Sequence, residues 1–207
     1  GAFTDGIWNS GVIDTVNGFQ QLYADVEHSA EPTGNLLHLD MMVRYGNPEG
    51  IERILKSAKT FRDLFQAPSG RGAGHFKGNH MSSTQIATNP NHRADIPLCG
   101  RVTTPFPWLI WYSANPGIEV PLENWISEWI ADALRVENEK PLGIFPNSVW
   151  VPNDSIGTPG NSWWDGQPGD PYGAFTAFPE NQFYHTHLAG FSHPRNADTH
   201  YPVPFEN

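Results

Sequence analysis

The chain is poor in cysteine, in charge and in long apolar runs, and each shortage closes off a class of protein. Its 207 residues hold a single cysteine, Cys99. An internal disulfide and a cysteine-based zinc site are therefore excluded, while an exported location is not. No stretch approaches the ~20 apolar residues that a membrane-spanning helix needs. Charged residues make up 16% of the chain and sum to a formal −10, which argues against a nucleic-acid partner. No signal-peptide pattern is read, so the chain is expected to be mature or trimmed, in a secreted or periplasmic setting, or else cytoplasmic.

What is present describes a folded, loop-rich protein: 38% apolar residues, 20 Gly and 19 Pro. The length suits a single domain over 1–207, or a fragment of a larger one. Eight Trp, twelve Phe and six Tyr exceed what a core of this size needs. A surplus Trp offers a flat apolar face for a sugar ring and an N–H for a polar partner, the alternative being ordinary burial.

Positive charge gathers in one place. Arg71 to Arg101 holds four cations (Arg71, Lys77, Arg93, Arg101) and three histidines (His75, His80, His92) against one acid, Asp95. In an acidic chain such an excess is a candidate anion site, with a plain solvated loop as the alternative. At its centre Gly78-Asn79-His80 sets a carboxamide beside an imidazole after a glycine-rich approach.

Around this loop the pattern is helical. Val12, Val16, Phe19, Tyr23 and Val26 fall at helical steps and predict an amphipathic helix from Ser10 to Glu27. Leu36, Leu39, Met42 and Val43 predict another over Asn35 to Tyr45. Gly46-Asn47-Pro48 then stops one helix and starts the next, which runs to Phe65. Those two arms would form an antiparallel hairpin. After an apolar, Trp-rich segment from Pro105 to Tyr112, a helix is expected from Val120 to Arg135, burying Leu122, Trp125, Ile126, Trp129, Ile130 and Ala133. Asn47-Pro48 and Asn115-Pro116 lie 68 residues apart, a spacing that suggests repeated helix pairs in a solenoid or closed ring, or else the coincidence of a common helix-start dipeptide. Lys140 to Tyr172 reads as a long ordered loop or short strands, and Pro179 to Ser192 as a further helix. The interrupted repeat suggests completion by the rest of a larger chain or by another copy.

Asn79 and His80, with Tyr184, His185 and His187, supply the residue types for eliminating a 4-linked sugar from a uronate. The C5 proton becomes acidic only when the neighbouring carboxylate is neutralised, which Asn, His or Arg can do by hydrogen bonding. A Tyr or His can then remove the proton and return one to the leaving oxygen.

The helical hairpins with Asn-Pro restarts resemble those of (α/α) toroid polysaccharide lyases, and Gly78-Asn79-His80-Met81-Ser82 is similar to the Asn-Asn-His-Gly-Thr motif of alginate and heparinase-like lyases. Gly78 and Met81 depart from that pattern. The resemblance implies a mainly α fold of toroid hairpins with long irregular loops. It also implies β-elimination of an acidic glycan, with Asn79 and His80 neutralising the carboxylate and Tyr184 as acid/base. His187 joins the catalytic candidates. His75, Lys77, Arg93, Arg101, Trp163, Trp164 and His185 are the candidates for substrate binding.

Two alternatives stand beside this reading. A glycoside hydrolase on the same scaffold would use Asp154 or Asp165 with Glu180, needing two acids about 5–10 Å apart. A non-catalytic glycan-binding or assembly subunit would need only the Trp clusters. No cofactor is required, although Asp154, Asp165 and Asp170 could hold calcium. A His185-x-His187 pair near His193 and His200 could ligate a transition metal, but on a helix its rings would point apart.

Overall fold

The computed structural model describes residues 2–30, 47–67, 72–160 and 162–165. Helix α1 (Ala2–Trp8) leads into strands β1 (Ile13–Asp14), β2 (Phe19–Gln20) and β3 (Ala24–Asp25), then α2 (Val26–Ala30) and α3 (Pro48–Thr60), which continues as a π-helical turn over Phe61–Phe65. Strand β4 (His80–Met81), β5 (Ala94–Asp95) and the short α4 (Gly100–Thr103) follow. The chain then forms α5 (Phe106–Ser113), α6 (Pro116–Leu134), β6 (Val149–Trp150) and β7 (Ser155–Ile156).

The two Asn-Pro signals do the same local work. Asn47 accepts a hydrogen bond from the Glu49 N–H at 3.0 Å, and Asn115 one from Gly117 at 2.9 Å, each with Pro at the first helical position. Helix α6 consequently starts at Pro116, ahead of the expected Val120, and carries Pro121 within its first turns. Its predicted inner face is buried in full, with Trp125 and Trp129 among the largest enclosed side chains. Helix α3 and its π turn bury Ile54, Ala58, Phe61 and Phe65, while Leu55 stays at the surface. Helix α5 packs against both α3 and α6, and Phe61, Phe76, Phe106 and Trp125 close the aromatic core between them.

The protein is thus a mixed, mostly helical domain with three substantial helices and small sheets among the described residues. The toroid expected from the sequence is not shown. The Asn35–Tyr45 arm of the first hairpin and the Pro179–Ser192 helix lie outside the described residues. Lys140 onward forms turns and the short strands β6 and β7, as far as it is described. Cys99 is buried and forms no disulfide, and no helix among the described residues is long and apolar enough to cross a membrane.

The Ser10–Glu27 helix is corrected to a hairpin. Gly11 and Gly18 take φ of 84° and 78°, a region that interrupts a right-handed helix. Between them the Asp14 carboxylate accepts from the N–H groups of Val16 and Asn17, which folds the segment into an Asx turn. Strands β1 and β2 pair antiparallel across it. Of the supposed apolar stripe, Phe19 and Val26 are buried, whereas Val12 and Val16 face solvent.

Below α6, Lys140 is fully buried and its Nζ donates to the carbonyls of Ala133, Pro141 and Ile144 at 2.8–2.9 Å. One of these is an orphan carbonyl of the helix C-terminus. Burial pulls the amine down to about 8, against the attraction of Asp132. Replacing Lys140 by Met should take the amine from all three carbonyls, of which Ala133 keeps the Gly143 N–H at 2.8 Å, and cost about 3 kcal/mol. Urea denaturation checks this, and a loss under about 1 kcal/mol would contradict it.

Candidate functional site

The candidate site is assembled by pairing of β3 with β4. Ala24 lies opposite Met81 and Asp25 opposite His80, and the Val26 N–H donates to the Asn79 carbonyl at 2.7 Å. The Asn79 N–H in turn reaches the His92 carbonyl at 3.0 Å. These backbone bonds bring the segments around Tyr23, Asn79–His80 and His92 together.

Within the cluster, His80 Nδ1 donates to Asn79 Oδ1 at 3.0 Å, making Nε2 the other titrating nitrogen of the ring. The His80 and His92 rings stack with centroids 3.6 Å apart and planes 8° apart. Two imidazolium charges at that separation would repel. Burial pushes His92 down, which favours its neutral form. The Tyr23 ring lies 6.0 Å from that of His80. Burial raises its hydroxyl and a hydrogen bond with the Thr88 backbone partly offsets the rise, so Tyr23 is a proton donor at neutral pH.

Thr88 also borders a cleft of ≈ 500 Å³ lined by Lys77, Arg93, Ile86, Ala87 and Val151. Lys77 Nζ donates to the Leu64 carbonyl at 2.7 Å and is pulled down by burial, whereas Arg93 is exposed. These are the two expected cations that share a cavity. Arg101 is paired with Glu27 at 3.0 Å, which meets its charge within the protein. Arg71 lies outside the described residues.

His75, expected at the substrate, is fully buried. Its Nδ1 lies 2.8 Å from Asp95 Oδ2 and its Nε2 3.1 Å from Asp132 Oδ2. Trp163 and Trp164 meet edge to face at 87°, with Trp163 packed on the core and Trp164 exposed. They therefore offer one open indole and no flat tandem platform. A broader aromatic surface lies on α5, where Trp108, Trp111 and Tyr112 are all exposed.

The calcium expectation finds a different arrangement. Asp154 pairs with Arg135 at 3.2 Å, and Asp165 accepts the Ser162 N–H at 2.8 Å. Asp154 instead stands with His75 and Asp132, their ligand atoms within 4.8 Å of one another. Asp170, Glu180, Tyr184, His185, His187, His193 and His200 lie outside the described residues.

No protein family, curated protein or solved structure matches the chain.

Gly78 explains one departure from the lyase motif. A Cβ at this position would lie 2.4 Å from the His92 carbonyl oxygen and 2.5 Å from the Ala87 Cβ. An Asn cannot stand there without moving the His92 segment. We expect Gly78→Ala to destabilise the chain by about 1–3 kcal/mol and to disturb the His80–His92 stack. Thermal melting together with histidine NMR shifts checks this, and an unchanged pair of imidazole signals would contradict it.

Proposed function

We propose that the protein cleaves a uronate-containing polysaccharide by β-elimination, as part of a larger helical toroid. The observation that carries this reading is the Asn79–His80 hydrogen bond, set beside His92 and Tyr23. His80, oriented by Asn79, takes a proton and binds the substrate carboxylate through a charge-assisted hydrogen bond. That interaction stabilises the enolate-like charge as the C5–H bond breaks. Neutral His92 accepts the proton, the electron pair forms the C4–C5 double bond, and the C4–O bond cleaves. The Tyr23 hydroxyl protonates the departing oxygen. Tyr23 thereby fills, within the described residues, the role that the resemblance gives to Tyr184. Lys77 and Arg93 in the adjoining cleft suit the carboxylates of neighbouring sugars.

The test is ultraviolet absorbance with a panel of uronate polysaccharides, because elimination alone creates a conjugated unsaturated uronate. A rising signal supports the proposal. New reducing ends without absorbance would assign hydrolysis instead. Binding without any cleavage would favour a glycan-binding subunit, for which the exposed face of Trp108, Trp111 and Tyr112 provides the surface.

A further inference from the structure

We infer that the chain holds one divalent transition-metal ion on His75 Nε2 and the carboxylates of Asp132 and Asp154, with Asp95 orienting the imidazole. Four observations converge on this buried cluster, whose residues take no part in the proposed elimination.

The three ligand atoms lie within 4.8 Å of one another. His75 Nε2 and Asp132 Oδ2 are both buried and neither makes a hydrogen bond, although they face each other at 3.1 Å. That separation is close to the edge of a tetrahedron with metal–ligand arms of ~2.0–2.1 Å. A shared cation would satisfy both atoms where a proton is out of line.

The opposite nitrogen of the ring is held as metal-bound histidines usually are. Nδ1 donates to the Asp95 carboxylate at 2.8 Å, which fixes the orientation of the ring and turns Nε2 toward Asp132. Arg135 occupies the far side, donating to Oδ1 of Asp132 at 2.7 Å and to Oδ1 of Asp154 at 3.2 Å. Its guanidinium tethers both carboxylates without covering Asp132 Oδ2.

The backbone also prepares the site. Asp154 has φ of 57° in the turn between β6 and β7, and its carbonyl accepts from Arg135 Nη2 at 2.6 Å. Its side chain is 34% exposed, giving a path of entry to an otherwise closed cluster. Glu128 stands one helical turn before Asp132, on the same face of α6. Its carboxylate is a candidate for the fourth ligand.

One imidazole and two carboxylates suit zinc or manganese better than calcium, which prefers an all-oxygen shell. The ion would clamp the segment at His75, the end of α6 and the β6–β7 turn together. Binding replaces the Nε2 proton of His75, which passes to solvent.

The experiment uses the full chain, stripped with a chelator and titrated with Zn²⁺ alone by calorimetry, with metal content read by mass spectrometry. We expect one Zn²⁺ per chain, a higher Tm on binding, and no competition from equimolar Ca²⁺. Asp154→Asn should weaken binding about 10²-fold or more, at least the upper end of what outer-shell changes produce. Asn tolerates the positive φ at 154, so this variant keeps the turn. Asp165→Asn, which alters the other loop acid, should leave binding unchanged. Absence of saturable Zn²⁺ binding or of any Tm shift in the unaltered chain would overturn the inference, as would equal affinity in Asp154→Asn.

Discussion

Asp95→Ala should leave the chain unfolded at room temperature. A single oxygen of Asp95, Oδ2, faces His75 Nδ1 at 2.8 Å, the indole nitrogens of Trp125 and Trp129 at 2.8 and 3.1 Å, and the Phe76 N–H at 3.2 Å. All of them lie in the core, and Asp95 has no exposed surface. Truncation removes the acceptor that four donors share, each at a cost of about 1–3 kcal/mol, a sum comparable to the ~5–15 kcal/mol by which domains are usually stable. Asp95→Asn keeps the shape and one acceptor but loses the charge that faces the imidazole. It should fold with stability reduced by about 3–5 kcal/mol, the usual result of breaking a buried pair. Tryptophan fluorescence during urea denaturation reads both variants directly, since two of the donors are indoles. An Asp95→Ala protein within about 1 kcal/mol of the parent would contradict this role.

The same cluster sets a pH dependence. Burial alone would lower the His75 pKa, but the carboxylates of Asp132 and Asp95 outweigh it and push the ring up to about 10. A histidine raised above its ordinary value of about 6.5 adds stability that is complete below that pH. The contribution is lost as pH climbs toward 10. Lys140 acts with the opposite sign, because an amine lowered to about 8 favours folding as pH rises above that value. The window from about 6.5 to 7 is therefore dominated by His75. In metal-free protein stability should fall across it by at most about 1.4 kcal/mol per pH unit, and less steeply in Asp95→Asn. A flat or rising profile there would show that His75 is neutral in the fold.

The parts of the fold legible in the sequence are those decided by near neighbours. Asn47-Pro48 and Asn115-Pro116 fix helix starts through contacts two residues away, and the inner face of α6 follows from helical spacing alone. The Ser10–Glu27 segment misled because a hairpin's few apolar residues can also fall at steps of three and four. Its glycines at 11 and 18 and the Asp14-Asn17 pair were the signal against a helix. The basic loop was legible as a concentration of charge but not in its use. His75 turns inward to acids that stand 20 and 57 positions away in the chain, and Arg101 turns to Glu27. Tyr23 and His92 join Asn79 and His80 only through the β3–β4 pairing and the Asn79–His92 backbone bond. No local pattern encodes a contact between Ala24 and Met81.

The Asn79–His80 pair should show its role in a split between kcat and KM. Asn79→Ala removes the acceptor at 3.0 Å that orients the imidazole but leaves Lys77 and Arg93 to hold the rest of an acidic substrate. If the carboxylate interaction strengthens as charge develops at C5, its loss falls mainly on kcat, by about 10²-fold or more. His80→Ala should cost at least as much, and the two changes together little more than either alone, because both act through one hydrogen-bonded unit. Tyr23→Phe keeps the ring beside His80 and removes the proton donor, so kcat should fall while KM holds. Arg93→Ala, altering an exposed cleft residue, should instead raise KM and make it more dependent on salt. If Asn79→Ala and Tyr23→Phe changed KM alone, the cluster would be binding glycan without taking part in elimination, and the hydroxyl and carboxamide would have to be assigned to substrate recognition.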